Sequence, residues 1–350
     1  MSDIFNKALS DGSNAYAVGQ DLASYFLRLD HRNADHMDMK TVKEMVKFWE
    51  SINTNAQVSD RLKNSAILAA SALTFEKCIR RSGQSVGSDP DCPTAERVFG
   101  KLNEVDPNLL NDDSTLLKIK LISNMELKAG VSILKSIIDD KSKATFLRTA
   151  AAWSLSRVAR RNGDLVKDFA LKKFFDRSED HEVRIASYLA IARSASTNDL
   201  TSVVQHVIDN HDNEDRQVVS YVISSISALK NLKTPDGSKC KNFMERSRAI
   251  YESIVSKVES KLGPRDIFDS AVYHIASHDN RESVLLSVVA SKTDIIPRAV
   301  YLSMRDPLQS RLVPSTLSVI WYFATFDSFA SFDTFSYTIF PTVLSVLRYF

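Results

Sequence analysis

No proline occurs between Pro107 and Pro235, and only Gly130 and Gly163 interrupt that run. Proline breaks a helix interior and glycine weakens one, so a long stretch without them, carrying apolar residues at three- and four-residue spacing, reads as helix after helix. The spacing predicts helices near 15–29, 39–53, 58–81, 94–104, 114–124, 128–139, 143–161, 164–175, 180–194, 198–209, 215–230 and 241–261. Connections of two to six residues in the middle of the chain favour antiparallel neighbours. Asp164 and Asp180 stand where N-caps are expected. The dense turn cluster Ser82–Pro93 is a loop.

These helices repeat. Leu117, Leu147, Val183 and Val218 each open a helix and lie 30, 36 and 35 residues apart. Each is followed by a turn and a second apolar helix, a unit that buries its apolar face only by stacking on its neighbours. Asp180, Val183, Arg184, Ala186 and Leu189 have a HEAT-like pattern: an acidic cap, a paired arginine, and a small residue that lets helices approach. The expected fold is mainly α, a HEAT-like α-α superhelix over residues 1–262.

After Gly263-Pro264 the period changes. Segments 267–276, 283–290 and 295–304 are short and rich in Val, Ile, Tyr and Phe, so they read as strands. Residues 263–306 are therefore expected to start a β-sheet. Residues 307–350 read as a low-complexity tail, disordered or non-native, because Phe323, Phe326, Phe329, Phe332 and Phe335 recur every third residue. Residues 315–347 are long enough to span a bilayer, but Asp327 and Asp333 near the middle would each cost roughly 2.5–3.5 kcal/mol there. No transmembrane anchor is expected.

Composition narrows the function. A formal charge of +2 supplies no bulk attraction for nucleic acid, and none is expected as a partner. The first twenty residues lack a basic n-region and an apolar h-region, so no secretory signal is expected there. The nucleotide-binding, nucleophile-elbow, zinc-protease and CxxC signatures are all absent from the sequence, so neither catalysis, a metal nor a cofactor is expected. His31 and His36, and the group His206, Asp209, His211 and Asp212, read as solvated helix ends, as do His274 and His278 at a strand end. Arg157, Arg160 and Arg161 read as an exposed basic helix terminus. Cys78 and Cys92 bracket the 82–93 loop, and the residues alone leave two readings open: a disulfide, or two unrelated buried thiols.

Several stretches together resemble the large lipid transfer proteins, the family of vitellogenins, apolipophorins, apolipoprotein B and the microsomal triglyceride transfer protein. One is the run from Leu171 to Ala186, where an apolar helix ends in Asp176-Arg177 and is followed by Asp180 and Glu182-Val183-Arg184. Another is Glu214-Asp215-Arg216-Gln217-Val218-Val219-Ser220-Tyr221-Val222. The Ala-rich helix from Ile67 to Cys78, with Cys92 beyond it, matches a third. Ile295-Ile296-Pro297-Arg298-Ala299 is similar to the strand that opens the family's lipid cavity. The resemblance covers roughly 40–305. It implies a helical horseshoe followed by the first strands of an incomplete lipid-cavity sheet, in a fragment or truncated member. Counterparts of the family's signal peptide, N-terminal barrel and most cavity sheets are not expected within these residues.

The resemblance implies non-catalytic carriage of phospholipid or neutral lipid, a secreted setting, and association with other lipoprotein domains or subunits. It implies a Cys78–Cys92 disulfide with Cys240 apart. Val272, Leu285, Val289, Val300, Leu302 and Met304 are the expected lipid-facing residues. The alternative function is a HEAT-like protein-interaction scaffold without lipid carriage.

Overall fold

The computed structural model describes residues 39–53, 55, 58, 63–64, 66–68, 70–71, 100, 112–126, 128–159, 161–194, 196–230, 248–258, 269–276, 283–290, 299–305 and 318–322. Cys78, Cys92, Cys240, His31, His36, His278 and the phenylalanine repeat lie outside them, as do the predicted helix 15–29 and nearly all of 94–104. The chain divides into two compact units, Met1–Val218 and Val219–Phe350.

The first unit is helical, with α1 at Met39–Asn53, α2 at Asp112–Met125, α3 at Val131–Asp139 and α4 at Thr145–Val158. It continues through α5 at Gly163–Phe175, α6 at His181–Ser194 and α7 at Thr197–Asp209 to the start of α8, Arg216–Lys230. α4 lies between α2 and α6, while α3 packs on α4 and α5 on α6. The peripheral helices are one-sided. α3 buries Val131, Leu134, Ile137 and Ile138, and α7 buries Leu200, Val203, Val204, Val207 and Ile208, as a 3.6-residue period requires. α4 and α6 are buried nearly all round, from Leu147 to Ser156 and from His181 to Tyr188 without a break. Small residues (Ala150, Ala151 and Ala152 on α4, Ala186 and Ala190 on α6) allow that density.

Local chemistry sets the ends. Ser196 and Asp199 form a reciprocal capping box at the start of α7. Asp180 caps α6 by accepting the Glu182 amide at 2.9 Å. Asp164 does not cap α5, because the helix starts one residue earlier and Asn162 holds the N-cap position. The Asn162 side chain is drawn instead to the Glu126 carbonyl, 3.2 Å away. Asp164 sits in the first turn, where a carboxylate complements the helix dipole.

A single 3-10 turn, Lys128–Gly130, leads into α3. A Cβ on Gly130 would collide with Cγ2 of the fully buried Ile122. Gly130→Ala should therefore destabilise the chain by about 1–3 kcal/mol, read as a lower urea midpoint. Adding Ile122→Ala to it should show non-additive recovery.

The second unit begins within α8 and includes a π-helical turn, Tyr251–Val255, continuing into Ser256–Val258. Its sheet is an antiparallel meander in the order β1-β2-β3-β4. The strands are β1 Ala271–Ala276, β2 Ser283–Val289, β3 Ala299–Arg305 and β4 Ser318–Tyr322. The first three fall inside the predicted strand segments or within a residue of them. β4 falls in the stretch read as tail and pairs along β3 from Ala299↔Tyr322 to Ser303↔Ser318. The sheet is tied to α8 where the Val272 amide donates to Ser224 Oγ at 2.9 Å. Among the described residues, no helix is long and apolar enough to cross a membrane.

Candidate functional site

Paired residues in an antiparallel ladder share a face, and successive residues alternate. The register therefore sorts the whole sheet. One face takes Ala271, Tyr273 and Ile275 from β1 and Val284, Leu286 and Val288 from β2. It continues with Val300, Leu302 and Met304 from β3 and with Val319 and Trp321 from β4. None of these positions is charged, and tyrosine is the only one that carries a hydroxyl. The opposite face alternates apolar positions with His274, Ser283, Ser287, Ser303, Arg305 and Ser318.

The six predicted lipid-facing residues divide between these faces. Val300, Leu302 and Met304 share the uniformly apolar one, where their partners are Val288, Leu286 and Val284. Val272, Leu285 and Val289 occupy register positions on the other. Val272 and Val289 are buried, whereas Tyr273, on the apolar face, is 42% exposed.

In the helical unit a polar ladder connects successive repeats. Arg148 on α4 donates from Nε to the Ile138 carbonyl at 2.9 Å and from Nη2 to Glu179 Oε1 at 2.7 Å. One repeat later Arg184 on α6 donates from Nε to the Phe174 carbonyl at 2.8 Å and from Nη1 to Glu214 Oε1 at 2.8 Å. Each arginine thus satisfies a carbonyl at the end of the preceding helix and reaches the acid before the next repeat's first helix. That acid's Oε1 also accepts the following amide, Asp180 for Glu179 and Asp215 for Glu214. The turns repeat too: Asp140 accepts the amide and hydroxyl of Ser142, and Asp176 does the same with Ser178.

Burial opposes ionisation of Glu179. Hydrogen bonds from Lys141, Arg148, the Asp180 amide and Lys173 nevertheless hold its carboxyl at about 2. Glu214 is likewise held below the ordinary carboxylate range: burial raises it, and Arg184 and the Asp215 amide more than offset that. Trp153 adds a buried tie between α4 and α6, donating to Glu182 Oε1 at 2.9 Å.

Several charged residues read as exposed are placed differently. Arg157 and Arg161 turn onto the buried Glu126, with N···O distances of 3.7 and 3.3 Å. Glu126 itself has a positive φ of 49°, a conformation uncommon for this residue type. His206 is half-buried, edge-on to Phe175 with ring centroids 4.9 Å apart, and its Nε2 is 3.7 Å from Glu214 Oε2. No cluster of three metal-ligating side chains occurs among the described residues.

The ladder thins at both ends. Val219 follows Val218 where Arg184 follows Val183, so the next rung has no cation. Lys118 takes the arginine's position after Leu117, yet Lys143 stands where the acid should precede α4. Lys118 is 6% exposed, and burial lowers its amine pKa. Such a shift favours the neutral amine on folding, a stability penalty that is complete below the lowered value and relieved as pH climbs towards 10.5. Lys118→Met should therefore raise stability at pH 7 by about 0.5–1 kcal/mol, with the gain shrinking in melts near pH 10.

Stacked helical pairs joined rung by rung define an α-solenoid in the first unit, and the second unit carries an antiparallel sheet with one apolar face. The vitellogenin TPR domain family matches residues 14–227, more than half of the chain, and the chain belongs to that family. The repeat steps of 30–36 residues lie near the 34-residue TPR period. Vitellogenin-1 of Solenopsis invicta is 22% identical over 287 residues, covering 78% of this chain and 17% of that protein. A solved structure of lipovitellin, concerned with its lipid–protein interactions, superposes with a TM-score of 0.59 at 16% identity. It covers 87% of this chain and 33% of its own. That likeness shows the fold. The chain spans less than a fifth of the curated relative it matches.

Proposed function

We propose that this chain forms part of a lipid carrier, in which the sheet turns its apolar face towards phospholipid or neutral lipid. The observation that carries the reading is the unbroken apolar register from β1 to β4 in a chain of the vitellogenin family. Val300, Leu302 and Met304 contribute directly to that face. Val272, Leu285 and Val289 contribute by closing the opposite side. No reaction is needed: burying acyl chains is favourable by about 0.8 kcal/mol per methylene without a fixed polar ligand set. The cargo is lipid, no other cofactor is required, and the partners are further domains or subunits of the lipoprotein. A sheet of this size cannot enclose a cavity alone, so lipid association by the isolated chain is weak or accompanied by aggregation.

The test is lipid extraction and mass analysis of the purified chain, beside Leu302→Lys and beside a version ending at Lys261. Lipid should accompany the full chain and fall in both altered versions. Equal recovery from all three would place binding on the helices and remove the sheet face from the function. Folded protein without lipid in every case would favour the protein-interaction scaffold.

The carrier works outside the cell in this reading, in an oxidising setting where Cys78 and Cys92 pair. Closing a loop of about 15 residues stabilises the chain by roughly 3 kcal/mol in the chain-entropy view. A non-reducing digest of secreted protein should yield one peptide pair linking Cys78 to Cys92, with Cys240 open to alkylation. Free alkylation of all three would sink the pairing.

A further inference from the structure

The two rungs of the ladder are copies that differ in the two cationic residues around the acid's Oε2. At the first, Glu179 Oε2 accepts from two ammonium groups, Lys141 at 2.8 Å and Lys173 at 3.2 Å. At the second, Glu214 Oε2 is buried with no hydrogen-bond partner among the described residues. Its neighbouring cationic groups are Arg177 Nε and His206 Nε2, each 3.7 Å away. Arg177 takes the place of Lys141, one repeat on. His206 stands near the end of α7, as Lys173 stands near the end of α5, so a permanent charge is replaced by one that depends on a proton.

We propose that His206 and Glu214 form a proton-dependent clamp, which tightens the α7–α8 turn against the end of α7 at mildly acidic pH. Histidine changes charge between about pH 5 and 8, whereas lysine stays charged throughout. Protonation converts a loose polar contact into a charge-assisted bond to a buried carboxylate, which is shorter and stronger. Glu214 stays ionised at pH 5, because Arg184 and the Asp215 amide hold its carboxyl low despite burial.

The surroundings of His206 permit the change. From α5 and its following turn come the Phe175 ring and Arg177, whose side chain is 51% exposed, so solvent screens its repulsion. From α6 comes Arg184, already committed to Glu214 Oε1. In the α7–α8 turn Asp212 lies 3.3 Å from His211. On α7 Asp209 accepts from Gln205 at 2.7 Å. Asn210 Nδ2 donates to the His206 carbonyl at 2.8 Å and lies 3.4 Å from His206 Nδ1, a longer contact that leaves Nε2 to face Glu214.

Hydrogen exchange of the full chain at pH 5 and pH 8, corrected for intrinsic rates, tests the clamp. Amides of 211–218 should be about three- to tenfold better protected at pH 5, while those of 177–183 around the lysine-built rung should not change. His206→Lys should give the pH 5 protection at both pH values, and His206→Gln should remove the difference. The proposal falls if wild-type protection is the same at both pH values, if both rungs respond alike, or if His206→Gln keeps the difference. It falls equally if His206→Lys is no better protected at pH 8 than the wild type.

Discussion

Glu179→Gln should be among the most damaging single substitutions in the helical unit, costing about 3–5 kcal/mol at pH 7. The Glu179 side chain is fully buried and holds Arg148, Lys141 and Lys173 at 2.7, 2.8 and 3.2 Å. Glutamine keeps the volume and removes the charge. Arg148, only 7% exposed at its side chain, is then left as an uncompensated buried cation. Lys173 retains Asp139 at 2.6 Å, so the arginine dominates the loss. Thermal unfolding should show a midpoint lower by roughly 5–15 °C. A shift below 2 °C would mean that the rung is a bystander.

The same substitution carries a pH signature. The folded carboxyl sits at about 2 against 4.5 when unfolded. A depressed carboxylate contributes its full stability above the unfolded value and loses it as pH falls through the folded one, so the window runs from about 4.5 down to about 2. At 1.36 kcal/mol per unit the contribution is up to about 3 kcal/mol. Wild-type stability should fall more steeply across that window than that of Glu179→Gln, and the two curves should converge near pH 2. Parallel curves would show that acid sensitivity lies elsewhere, with Glu214 the next candidate in the same direction.

What the sequence made legible was local. The proline-free run, the apolar period and caps such as Asp180 act within a turn or two, and the described helices of the first unit begin and end within about two residues of those predicted, save that α3 begins three residues late, after the 3-10 turn, and α4 ends three residues early. β3 was equally readable because Val300, Leu302 and Met304 alternate cleanly. β2 was not: Leu285 and Leu286 are both apolar, so alternation does not say which one shares a face with Leu302. The register chooses Leu286. β4 has only five residues beside a phenylalanine repeat, too short for a period to stand out.

The polar ladder was half legible. Arg184 is recognisable as a paired residue from the repeat pattern, but its partner Glu214 lies 30 residues on, far outside the three- and four-residue neighbourhood that a helix pattern reports. A similar distance hid Arg157 and Arg161, which lie 31 and 35 residues beyond Glu126, whereas His206 is eight residues before Glu214 and meets it across the α7–α8 turn. Each looks like a solvated helix end until the fold brings a buried glutamate against it. Lipid-facing positions are harder still, because an apolar residue that meets lipid and one that meets a helix have the same chemistry.

The second large effect concerns that long-range pair. Arg184 is 2% exposed and supports three things at once: Glu214 Oε1, the Phe174 carbonyl, and the Phe174 ring, whose centroid is 5.7 Å from the guanidinium carbon. Arg184→Met should cost about 3–5 kcal/mol, because the buried Glu214 carboxylate keeps only the Asp215 amide on that oxygen. Adding Glu214→Met removes the stranded charge and fills the space with apolar atoms. The double variant should therefore be more stable than Arg184→Met alone, with a coupling of about 2–3 kcal/mol. It should still fall short of wild type by the orphaned Phe174 carbonyl, about 1–3 kcal/mol. Urea melts of the four proteins close the cycle. If the two single losses simply add, the ladder is a set of independent contacts and does not couple one repeat to the next.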